Sequence, residues 1–227
     1  MNRLVTDWPV AIIKAMGFST LTRRQALESC ISRGLLISGV AMSQTKLFAA
    51  WQAAEAAAQK PTAREVLGPF YKKGAPNMKQ LRPAGDPGFP LTVAGKVVNT
   101  KGQLVEGVKI DIWHSDHHGR YDLVGFKYRS QLTADEKGLY SVETILPGPY
   151  DDRPAQHIHY LIAAPGHKTL VTQAYFATDP FFEGDPDKKF GKRNIVHNRE
   201  LVRPVSLYEG PGAPRAAISF DICLETA

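Results

Sequence analysis

From Pro61 onward the chain alternates short apolar-polar runs with glycine and proline turns, and no other feature restricts its folding as much. Val108, Ile110 and Ile112 alternate with Lys109, Asp111 and Trp113, the pattern of a strand with one face buried. Asn99-Thr100-Lys101-Gly102 and Asp135-Glu136-Lys137-Gly138 are turn clusters between runs rich in Val, Ile, Tyr and Thr. Ile218 to Leu224 alternates again and reads as a closing strand. The 16 prolines and 19 glycines, concentrated from Pro61 onward, leave room for loops that can carry functional side chains. Many short strands with such turns predict an all-β fold, an antiparallel β-sandwich with long loops, over 61–227. At 227 residues with 43% hydrophobic content, the chain can bury a real core as one such domain with a small extension.

That extension, residues 1–60, is written differently and reads as a helical or signal-like segment. Thr22-Arg23-Arg24-Gln25-Ala26-Leu27 resembles a twin-arginine export motif, the uncharged stretch 34–45 follows it, and Ala49, Ala50 and Ala53 suit a signal peptidase. Glu28 and Arg33 interrupt the approach to that stretch. The competing reading is a helix over 24–59, dominated by Ala, Leu, Gln and Glu and free of proline. Export to the periplasm is the favoured expectation and a cytoplasmic chain the alternative. Twelve uncharged residues are too few to span a membrane.

The net charge of +6 comes without a Lys/Arg run interleaved with aromatics, so a nucleic-acid partner is not expected; an anionic small molecule or plain solvation uses that charge better. Cys30 and Cys223 stand at opposite ends with no paired spacing, which excludes a disulfide framework and a zinc motif.

Four side chains within thirty-nine residues carry the chemistry: Tyr121, Tyr150, His157 and His159. On a strand, residues two apart share a face, so His157 and His159 point one way while Ile158 and Tyr160 point the other. Two phenolates and two imidazoles form an O2N2 set suited to ferric iron, the tyrosines being the discriminating half. The competing reading is two satisfied histidines on a half-buried strand and two packing tyrosines with wet hydroxyls.

The wording around these four residues resembles the intradiol ring-cleavage dioxygenases, the family of protocatechuate 3,4-dioxygenase and catechol 1,2-dioxygenase. The matching segments are Gly68-Pro69-Phe70-Tyr71, the 108–113 strand with His114-Ser115-Asp116 and Gly119-Arg120-Tyr121-Asp122, Thr144-Ile145-Leu146-Pro147-Gly148-Pro149-Tyr150, Arg153-Pro154-Ala155 with His157-Ile158-His159, and Thr172-Gln173-Ala174-Tyr175-Phe176 before Asp179-Pro180. They occur in family order over roughly 70% of the chain. The resemblance implies one ferric iron, Fe(3+), per chain, with Tyr121 the tyrosinate that stays bound, Tyr150 the one displaced by substrate, and His157 and His159 the lasting nitrogen ligands. It makes Arg153 and Gln173 the residues beside the substrate ring, although Gln156 is extra relative to the family pattern and moves Arg153 out by one residue. The implied reaction cleaves a catechol-type ring between its hydroxyls with dioxygen, giving a muconate-type diacid without an external reductant. A homo-oligomer is implied as well, and the short region ahead of the sandwich suits a protocatechuate-type subunit.

Other assignments stay open beside this one. Arg153 can instead pair with Asp151 or Asp152 at the surface, and Phe70 and Tyr71 can line the substrate pocket or pack the core. His114, His117 and His118 read as a polar surface turn capped by Asp116, and His167 and His197 have no evident partner. The run from Val93 to Ile110 also resembles non-catalytic transthyretin-like or carboxypeptidase-regulatory-like sandwich modules, and a copper or zinc hydrolase is a third class.

Overall fold

Among the described residues ten strands follow in chain order: β1 (Pro90–Asn99), β2 (Lys109–Trp113), β3 (Arg129–Thr133), β4 (Leu139–Ile145), β5 (His157–Ala163), β6 (Leu170–Phe176), β7 (Val202–Arg203), β8 (Ser206–Tyr208), β9 (Arg215–Ser219) and β10 (Ile222–Leu224). The computed structural model describes residues 59–150, 153–182, 196, 198–209 and 214–227, so the export signal and the 24–59 helix concern residues almost wholly outside the description. Among the described residues no helix is long and apolar enough to cross a membrane.

The strands form two five-stranded sheets. In one the order is β10-β1-β9-β8 with β4 on the other edge of β1; in the second it is β3-β2-β5-β6-β7. One continuous core joins them: Val93, Val97, Tyr140, Val142 and Ile218 from the first sheet, Ile110, Ile112, Ile158, Tyr160 and Ile162 from the second. The expected all-β sandwich is therefore present. Its sheets are mixed, because β1 pairs in parallel with β9 and β10, and β6 with β7. These partners lie far along the chain, and only a long connection lets neighbouring strands run parallel.

The closing strand expected over 218–224 is instead two strands. β9 pairs with the first half of β1 and β10 with the second in one continuing register, and the ladder is interrupted between them at Phe220 and Asp221. The interruption is tied down by Tyr140 Oη, which donates to the Phe220 carbonyl at 2.6 Å, and by the Lys96 N–H, which donates to Asp221 Oδ1 at 3.0 Å. Gly95 lies opposite, where a Cβ would stand 2.1 Å from the Phe220 oxygen. The two sequence-read turns form as expected: Asn99 Oδ1 accepts from the N–H groups of Lys101 and Gln103, and Asp135 Oδ1 from those of Lys137 and Leu139.

Candidate metal centre

The second sheet sets up the site through its register. Trp113 on β2 lies opposite His159 on β5, which lies opposite Gln173 on β6; His157 lies opposite Tyr175. Strand alternation sends Ile158, Tyr160 and Ile162 into the core, all 0% exposed, and turns the two histidines to the outer face. There their Nε2 atoms stand 3.1 Å apart. His157 Nδ1 is 2.7 Å from the Ala155 carbonyl, so it carries the hydrogen and leaves Nε2 with its lone pair. The His159 ring is stacked on Trp113, centroids 4.9 Å apart at 6°, and Gly68, at φ 74°, lets the backbone of the 65–71 segment pass close to it. Burial holds both imidazoles neutral, His157 at about 3 with the Arg153 charge adding to the effect, and His159 well below its ordinary value.

Two loops bring the tyrosines over this face. The loop ending in Tyr121 and the one ending in Tyr150 are joined at Gly148: its N–H donates to the Asp116 carbonyl at 2.8 Å, and Ser115 Oγ donates to its carbonyl at 2.9 Å. Gly119, at φ 81°, is required at the crossing, since a Cβ would stand 2.1 Å from the Pro149 oxygen. Asp116 caps the first loop by accepting from the N–H groups of His118 and Arg120. Phe70 stacks on Tyr121 at 4.2 Å and 17°, and meets Tyr150 edge-on at 5.9 Å. The four candidate rings then converge: Tyr121 to Tyr150 5.7 Å, Tyr150 to His157 5.6 Å, Tyr121 to His159 6.3 Å.

The Tyr121 hydroxyl is buried and faces the Tyr150 phenol. Burial pushes this phenol far above its ordinary value and the neighbouring Tyr150 phenol pushes the same way, while the charges of Arg153 and Arg129 oppose them. A buried phenol oxygen beside two neutral ring nitrogens is a set of donors that a bound cation would satisfy. Among the described residues no group of three or more His, Cys, Asp or Glu side chains can hold a metal ion, so the histidines make a metal site only together with the tyrosine oxygens. The O2N2 composition fits ferric iron.

Arg153 lies beside the four. Its Nη2 donates to Gln173 Oε1 and, at 3.0 Å, to Tyr175 Oη; Tyr175 Oη also donates to Gln173 Oε1 at 2.7 Å. Gln173 in turn donates to the Val66 carbonyl at 2.8 Å. Backbone bonds between Tyr150 and Arg153 set the guanidinium next to the Tyr150 loop despite the extra Gln156. Asp151 and Asp152, its alternative partners, lie outside the described residues, as does His197.

The histidine-rich turn needs a correction. His114 is 1% exposed, with Nε2 2.6 Å from Thr144 Oγ1 and Nδ1 2.7 Å from the Ser115 carbonyl, so it is an interior residue; only His118 is exposed. Polar neighbours suggested a surface turn, but the Tyr150 loop covers it. His167 Nδ1 is 2.8 Å from the Pro165 carbonyl, in a turn away from the site. Phe70 packs at the site, and Tyr71 lies against Trp113 at 5.0 Å with its hydroxyl donating to Asp111 at 2.7 Å. Sequence reading passed over Trp113, Tyr175 and Arg129, whose places depend on cross-strand register. Two surface clefts of about 560 and 570 Å³ lie against β1, and none of the site residues lines either.

Comparison with known proteins finds relatives of one kind. Residues 66–226 match the family described as Dioxygenase. Catechol 1,2-dioxygenase of Acinetobacter baylyi is 32% identical over 193 residues, which cover 72% of this chain and 62% of that protein. Catechol 1,2-dioxygenase of Pseudomonas sp. strain EST1001 is 30% identical over 197 residues, covering 74% and 65%. The chain thus spans less than two thirds of the length of these relatives. Among solved structures, the dioxygenase domain of a dioxygenase carbohydrate-binding protein fusion from Streptomyces sp. SirexAA-E superposes with a TM-score of 0.62 at 31% identity, covering 74% of this chain and 100% of that one. The 3-chlorocatechol 1,2-dioxygenase of Rhodococcus opacus shares the fold, with a TM-score of 0.65 at 24% identity over 78% of each chain.

Proposed function

We propose, from the premise that this chain belongs to the intradiol ring-cleavage dioxygenase family, that it opens a catechol-type ring between its two hydroxyl-bearing carbons with dioxygen, giving a muconate-type diacid. The observation that carries this reading is the convergence of two neutral imidazoles and two phenols, those of Tyr121 and Tyr150, on one buried point above the sheet. One ferric iron per chain would be held by Tyr121, Tyr150, His157 and His159. When bound, it supplies Lewis-acid activation of the diol. The balance needs no reductant: the ring carbon–carbon bond breaks, and both atoms of dioxygen end in the two carboxyl groups.

Each side chain then has a task. Tyr150 Oη takes up one proton of the diol as substrate enters. Arg153, held by Gln173 and Tyr175, presents a fixed positive charge to the ring as negative charge develops on it. Phe70, Tyr71 and Trp113 wall the position with aromatic faces and keep water from the histidines. Self-association and export belong to the same proposal; the first rests on the family resemblance, the second on the 22–27 segment.

The names of the relatives, catechol, chlorocatechol and hydroxyquinol 1,2-dioxygenases, define the panel to test. With iron-loaded full-length protein, dioxygen uptake should equal the diacid formed, followed by ultraviolet absorbance, with no reductant added. A yellow semialdehyde, the product of cleavage beside the diol, would contradict the reading.

A further inference from the structure

The row across the second sheet holds one more side chain than the ligand reading uses. Arg129 on β3 lies opposite Trp113, which lies opposite His159, which lies opposite Gln173, so all four side chains occupy the outer face. Arg129 is 2% exposed, and among the described residues it takes part in no ion pair. Its Nη1 donates to the Phe70 carbonyl at 2.5 Å and its Nη2 to the Asp122 carbonyl at 3.1 Å, while Nε is buried with no partner.

Those two carbonyls belong to the two segments whose rings stack, Phe70 and Tyr121, and the guanidinium carbon lies 5.8 Å from the Tyr121 ring centroid. The nearby Asp122 carboxylate is engaged by the N–H groups of Val124, Gly125 and Lys127. Tyr128, the residue before Arg129, has φ 55°, and its hydroxyl is anchored on the buried Asp86 carboxylate. A non-glycine residue keeps such a conformation only where its surroundings impose it. A buried guanidinium bonded to carbonyls is costly unless anions stand close by, and the groups whose negative charge favours this one are Tyr121 first and Asp122 second.

We propose that Arg129 is a positioning residue for the metal centre: by clamping the Phe70 and Asp122 carbonyls it fixes the Tyr121 ring, and its buried charge balances Tyr121 as an anionic oxygen donor to iron. The inference rests on Tyr121 being a ligand. Its two parts separate by substitution, because lysine keeps the charge and loses the two-pronged fork, whereas methionine keeps only the bulk.

The test loads the full-length protein and the variants R129K and R129M with iron. It measures iron affinity by chelator competition, the visible phenolate-to-iron band, and the unfolding temperature of each iron-free protein. R129M should lose about 10-fold to 100-fold in iron affinity, the range for an outer partner of a ligand, with the band weakened and displaced. R129K should recover part of both. If R129M does not fold, R129Q, which can still donate to one carbonyl, takes its place in the comparison. Wild-type affinity and an unmoved band in R129M, even with a lower unfolding temperature, would overturn the inference and leave Arg129 a packing residue. A wild-type protein with no visible band after iron loading would instead overturn the ligand reading itself.

Discussion

At the end that carries His157 and His159, the two faces of the β3-β2-β5-β6 sheet are buried to the same degree and filled with opposite chemistry. Inside lie Ile110, Ile112, Ile158, Tyr160 and Ile162; outside lie Arg129, Trp113, His157, His159, Gln173 and Tyr175, all at 2% exposure or less. The inner face is an aliphatic and aromatic plug that stabilises by leaving water. The outer face is dry only because segments 65–71, 114–122 and 147–150 lie over it, and its polar groups cost stability unless each finds a partner. One strand, β5, therefore serves stability with Ile158 and Tyr160 and chemistry with His157 and His159. The lesson is that exposure alone does not mark this site; the partnering of buried polar atoms does.

The sharpest way to break this contrast is to change one face at a time. His157→Ala or His159→Ala should abolish tight iron binding, a loss larger than the about 10-fold to 100-fold expected from removing an outer partner of a ligand. Iron content after dialysis reports it, and the unfolding temperature of the iron-free variants should stay near wild type. The mirror change, Ile158→Ala, should cost about 2–5 kcal/mol by opening a cavity, read by urea denaturation, while the protein still binds iron below its transition. Equal effects of both changes on iron and on stability would erase the distinction between the faces.

A smaller effect concerns protons. Burial holds His114 at about 4, below its ordinary 6.5, so in that interval the unfolded chain binds a proton that the folded chain does not. Its contribution to stability is complete above about pH 6.5 and is lost as pH falls toward 4, on the order of 3 kcal/mol over the interval. In iron-free protein His114→Gln should flatten the stability profile between pH 6.5 and 5. An unchanged slope would mean that His114 takes up its proton within the fold.

How much of this could be read beforehand follows from what is local. The His157-Ile158-His159 spacing declares its two faces within three residues, and the turns at Asn99 and Asp135 are set by their own side chains, so both were legible. The interruption at Phe220 and Asp221 was not, because it answers to Gly95 more than a hundred residues away. Arg129 was invisible for the same reason: its place beside the site arises from a register running through four strands. His114 misled because its polar neighbours resemble a surface turn, while the cover supplied by the Tyr150 loop leaves no local mark. The tyrosine pair was legible from its surrounding words, yet only the fold brings the two rings within 5.7 Å.

The most direct test of the central claim, that Tyr121, Tyr150, His157 and His159 together hold ferric iron, is the visible absorption spectrum of the full-length protein, taken with its iron content. The account predicts a red to burgundy protein with a broad phenolate-to-iron band and about one iron per chain. A colourless protein that holds stoichiometric zinc and gains no colour on iron reconstitution would contradict it.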